Sequence, residues 1–103
     1  MDWLVAPRTS ASFGLKRPEV IALWERKSPH PLATLTQPVQ LTGGIGRVKQ
    51  KKYILATDPA RLTRFYDKLK NDPGWTVHTL PCSHFIQLEM PDELTAILLN
   101  AIP

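Results

Sequence analysis

Residues 51–103 carry the pattern that most restricts the fold. "YILAT", residues 53–57, is an unbroken apolar run, the kind expected of a strand buried on both faces. "TDPARLTRFYDKLKND" follows, and its Leu62, Phe65, Tyr66 and Leu69 fall at i, i+3, i+4 and i+7, one apolar helical face. "DPG" ends that helix. "WTVHTLP" reads as a second strand, and "MPDELTAILLNAI" as a last helix. That helix sets Leu94, Ile97, Leu98 and Ala101 on one face and Asp92 and Glu93 in its first turn. Strand, helix, strand, helix implies a parallel pair with a right-handed crossover, so the class is α/β. Two strands alone make a poor sheet. The pattern therefore predicts dimerisation, recruitment of more strands, or membership of something larger.

Before residue 47 the signals are weaker. Ten prolines interrupt the chain, and the first 17 residues read as irregular, with Pro7 and Gly14 breaking any period. "RPEVIALWERKS" predicts a helix with Pro18 in its first turn, Glu19 near the positive end of the dipole, and Val20, Leu23, Trp24 and Lys27 at helical spacing. It must stop near "SPHP". "LATLT" alternates like a strand, but Pro38 breaks it, and Gly43, Gly44 and Gly46 make a flexible connection.

Composition removes several classes. With 43% apolar residues the chain is globular rather than disordered. It holds no run of roughly 18 apolar residues, so no membrane span is expected, and residues 1–14 do not read as a signal peptide. The single cysteine, Cys82, allows no intrachain disulfide, which fits a reducing, cytoplasmic setting. His30, His78 and His84 lack tight ligand spacing, so no metal is expected. Part of the +4 net charge clusters at Arg47, Lys49, Lys51 and Lys52. Such a cluster can bind phosphate, yet no nucleic-acid module pattern accompanies it, and it reads as a solvated turn before a buried strand.

In open α/β sheets functional groups gather at the carboxyl ends of strands. Asp58 follows the first strand and His84 the second, 26 residues apart, about one strand-helix-strand unit. An acid there can hold an imidazole through Nδ1 and leave Nε2 as general base. Asp58 has an equally ordinary reading as the cap of the helix that follows, with Thr57 as the other candidate and Pro59 in the first turn. His84 has no packing reason to sit on a loop between strand and helix.

These residues resemble the end of α/β-hydrolase-fold proteins, in the esterase branch related to methyl esterases and hydroxynitrile lyases. The resemblance rests on "CSHFIQLEMPDELTAILL", where Leu88, Pro91, Leu94 and Leu98 follow His84 in the pattern H-x-x-x-L-x-x-P-x-x-L-x-x-x-L. It also rests on the strand "KKYILATDP". The upstream "DWLVAPRTSASFGL" and "KSPHPLATLTQPVQLTGG" look like the cap and its return to the main sheet. The resemblance implies a cap-like segment over residues 1–46 and, over residues 47–103, the last two strands of the core with their helices. It gives His84 the role of general base and places Asp58 near the acid. It implies that Trp3, Leu4, Phe13 and Trp24 line an apolar acyl or alcohol pocket, although cap-to-core packing explains the same residues. No cofactor is implied.

The serine nucleophile of such a fold sits in a G-x-S-x-G elbow. Ser10, Ser12, Ser28 and Ser83 lack that context, and "GGIG" does not supply the oxyanion loop. Cys82 shares a loop with His84, whereas a nucleophile approaches its base from another segment, so Cys82 reads as a small packing residue. The expectation is the C-terminal portion of a serine esterase, inactive alone, that takes a small apolar ester once completed by an N-terminal half. The alternative is a non-catalytic assembly module that pairs or self-associates through its open sheet edge.

Overall fold

The computed structural model describes residues 3–103. The chain divides into two compact units, Met1–Arg47 and Val48–Pro103.

In the first unit, a two-residue antiparallel pair joins β1 (Leu4–Val5) to β2 (His30–Pro31). A 3-10 turn at Ala11–Phe13 closes on Gly14, whose φ of 69° lies in the left-handed region that glycine adopts without cost. Helix α1 (Pro18–Trp24) begins as expected, with Pro18 in the first turn and Arg17 extended ahead of it. Its Val20 and Trp24 are buried together with Leu15, while Leu23 is exposed. The Trp24 indole stacks at a tilt on Phe13, 4.9 Å between centroids. Its Nε1–H donates to the Arg8 carbonyl at 2.7 Å, which anchors the irregular N-terminal stretch to the helix. "LATLT" forms helix α2 (Ala33–Thr36), not a strand. Within it the Thr34 hydroxyl donates to the Pro31 carbonyl and that of Thr36 to the Leu32 carbonyl.

In the second unit, β3 (Lys51–Ala56) and β4 (Trp75–Leu80) pair in parallel, in register from Lys51 opposite Trp75 to Ala56 opposite Leu80. Side chains alternate across a strand, so the sheet has two distinct faces. One face carries Ile54, Ala56 and Leu80 into a cluster with Cys82 and Ile97, flanked by Ile86 and Met90. These last residues come from the short α4 (Ile86–Glu89), the junction after it, and α5 (Pro91–Leu99). The opposite face meets α3 (Thr63–Leu69): the Tyr53 and Phe65 rings lie 6.4 Å apart, and the Tyr53 hydroxyl donates to the Leu62 carbonyl. Burial of each large aliphatic in such a cluster stabilises by about 1.5–3 kcal/mol.

Two expectations change here. The helix after β3 starts at Thr63, so neither Thr57 nor Asp58 caps it. Leu62 stands at the N-cap position with φ 55° and no side-chain cap. Thr57 instead bridges to Ala60 across a tight turn that contains the cis Asp58–Pro59 bond. In α5, Ile97 is buried and Leu94 half-buried, but Leu98 is 57% exposed. The buried stripe is therefore narrower than the periodicity predicts. Among the described residues no helix is long and apolar enough to cross a membrane.

Candidate active site

The parallel ladder does not stop at the last strand residues. The Thr57 amide donates to the Leu80 carbonyl at 3.0 Å, and the Asp58 amide donates to the Cys82 carbonyl, also at 3.0 Å. The Thr57 hydroxyl adds a bond to the Leu80 carbonyl at 3.3 Å. The loops after β3 and β4 therefore leave the sheet side by side, and Asp58 and His84 lie on the same carboxyl edge. Helix α3 starts late because the Asp58 amide is engaged across the sheet and residues 58–59 form a tight turn, closed by the Thr57–Ala60 bridge, before the chain can coil.

His84 is exposed, and its ring stands edge-on to Phe85 at 5.3 Å. Its neighbours are held more firmly. Ser83 is only 3% exposed. The Ser83 amide donates to Glu89 Oε2 at 2.6 Å, and the Phe85 amide donates to Ser83 Oγ at 3.4 Å. A pocket of about 190 Å³ opens at this edge, with Ala56, Pro59, Arg61, Leu62, His84 and Ile86 among its walls.

Cys82 is buried beneath the loop. Burial pushes its thiol above its ordinary value, and the carboxylates of Glu89, Glu93 and Asp58 add to the effect. A thiol held in its neutral form is a poor nucleophile, which agrees with a packing role. Among the described residues no group of three or more His, Cys, Asp or Glu could hold a metal ion. His78 lies in β4 opposite Ile54, and its buried Nε2 has no hydrogen-bond partner.

The four aromatic and aliphatic candidates of the first unit separate. Phe13 and Trp24 share a wide pocket of about 630 Å³ with Arg8, Arg26 and Lys27. The Lys27 ammonium sits 3.8 Å over the Trp24 ring. Trp3 and Leu4 lie outside that pocket, 61% and 39% exposed. Sequence reasoning missed Ser83, Glu89 and Arg61 as parts of the second unit's edge. Glu89 carries no clear sequence signal, since "FIQLEM" already holds a second polar residue, Gln87.

The chain is similar to a carbendazim hydrolyzing esterase of Nocardioides sp. (strain SG-4G), 43% identical over 68 residues. The match covers 64% of this chain, and the chain spans 28% of the relative's length. No family model matches the chain, and no solved structure matches it. The similarity indicates an esterase, or hydrolase, relationship.

Proposed function

We propose that this chain corresponds to the C-terminal portion of a serine esterase of the α/β-hydrolase type, supplying the base and the acid of a catalytic triad but not its nucleophile. The observation that carries the reading is the pair of hydrogen-bonded loops at the carboxyl edge of β3 and β4, one bearing Asp58 and the other His84. The similarity to an esterase supports the same direction. In the completed fold a serine oxygen attacks the ester carbonyl, His84 takes its proton, and Asp58 steadies the imidazolium. His84 then protonates the leaving alcohol, and water, activated by the same histidine, releases the acid.

The pocket beside His84, about 190 Å³, is smaller than the roughly 300 Å³ at the low end of ligand sites. A reading in which further walls come from the rest of a longer fold accounts for this. Phe13 and Trp24 remain the candidates of the first unit for an apolar substrate wall. No cofactor enters the mechanism.

The purified chain is expected to show negligible p-nitrophenyl ester turnover, because none of its serines stands in an elbow. Turnover that disappears in a His84→Ala variant contradicts this and returns the nucleophile to the chain itself.

A second reading has its own observation. Among the described residues the β3–β4 sheet has two strands, so each strand has an outer edge, a template for further pairing. On that reading the chain is an assembly module that binds a second copy or a partner strand. Light scattering on the purified chain tests it: a concentration-dependent dimer supports self-association, and a monomer at high concentration removes it.

A further inference from the structure

We infer that Glu89 is the positioning residue for His84, acting through the Ser83 backbone. The inference rests on His84 being the base proposed above. His84 is exposed on a loop, and a base misplaced by about 1 Å can cost a hundredfold in rate. Two bonds that meet at Ser83 fix the backbone on either side of it. The Glu89 carboxylate accepts the Ser83 amide at 2.6 Å, a short, charge-assisted bond. The Ser83 hydroxyl accepts the Phe85 amide at 3.4 Å. Both residues that flank His84 are thus tied down, and the Phe85 ring then meets the imidazole edge-on.

The carboxylate is itself anchored. Glu89 ends the short α4, where its amide donates to the Phe85 carbonyl at 3.1 Å and the next amide, of Met90, donates to the Ile86 carbonyl at 2.7 Å. Ile86 and Met90 pack on the cluster of Ala56, Leu80, Cys82 and Ile97. The path therefore runs from the core through α4 to Glu89, then to the Ser83 amide and to His84. Ser83 itself is almost fully buried.

The test uses the full chain and nuclear magnetic resonance. Glu89→Ala is expected to speed exchange of the Ser83 amide proton by about tenfold or more, the scale of a hydrogen bond to a charged group. It should also remove the shift that the Phe85 ring imposes on the His84 ring protons, while Leu80 and Ile97 signals stay in place. Glu89→Gln keeps an acceptor oxygen without the charge. It should give intermediate Ser83 exchange and restore the His84 shifts. If Glu89→Ala does not fold, Glu89→Gln carries the test alone. Wild-type Ser83 exchange and His84 shifts in Glu89→Ala overturn the inference, and so does Glu89→Gln exchange within twofold of wild type. These readouts follow the loop and not ester turnover, so they fail separately from the esterase reading.

Discussion

The Asp58 amide donates to the Cys82 carbonyl at 3.0 Å, two residues past the last paired strand residues, Ala56 and Leu80. That bond brings the two candidate triad residues to one edge. It also withdraws the competing explanation for Asp58, because a residue whose amide is engaged across the sheet, five positions before the helix, does not cap that helix.

Ile97 and Leu98 are neighbours on α5 with opposite environments. Ile97→Ala opens the cluster beneath the sheet and is expected to cost about 2–4 kcal/mol in urea unfolding. Leu98→Ala, on an exposed position, should stay within about 0.5 kcal/mol of wild type. Equal costs contradict the placement of the buried stripe.

The raised thiol of Cys82 ties stability to alkaline pH. Its folded-state value lies above the ordinary 9.0 because burial, then Glu89, Glu93 and Asp58, disfavour the thiolate. Well below 9.0 both folded and unfolded thiols are neutral and the group contributes no pH dependence. Above it the unfolded thiol loses its proton first, so stability falls as pH rises towards the folded value. Cys82→Ala should flatten the stability profile above about pH 9, measured by urea unfolding. A profile as steep as wild type rejects this origin. Thiol reagents at pH 8 should react with the native chain far more slowly than with the urea-unfolded chain.

Leu62 holds a left-handed backbone, φ 55°, which costs a side-chain-bearing residue about 1–2 kcal/mol. Its side chain is half-exposed and its carbonyl, not its side chain, receives the Tyr53 hydroxyl. Leu62→Gly is expected to fall between neutral and about 1 kcal/mol more stable, since glycine relieves the strain but loses more chain entropy on folding. A loss above about 1 kcal/mol in thermal or urea unfolding shows that the leucine side chain matters more than its backbone.

Much of the second unit was legible in the sequence. The apolar run at 53–57 and the "WTVHTLP" segment mark the two strands, and the helix between them forces a parallel pairing. The late start of α3 was hidden, because "TDP" satisfies the local rules for a helix start while the competing bond comes from Cys82, 24 positions away. Glu89 was hidden for a related reason: its partner is a backbone amide, which leaves no trace in residue types. In the first unit, Pro18 and the Val20/Trp24 spacing announced α1. The alternation of "LATLT" misled, because a run this short cannot separate a strand from a helical turn by period alone.

In the proposed function His84 is the base of a triad completed by residues of a longer fold. Its most direct test is a chimera in which this chain replaces the matching segment of the Nocardioides esterase, assayed for p-nitrophenyl ester hydrolysis before and after His84→Ala. Because His84 is exposed, the substitution should leave urea unfolding within about 0.5 kcal/mol of the parent chimera. A folded, active chimera is expected, with a kcat that drops by about 10⁴-fold or more on His84→Ala. A folded chimera whose turnover survives that substitution to within tenfold contradicts it.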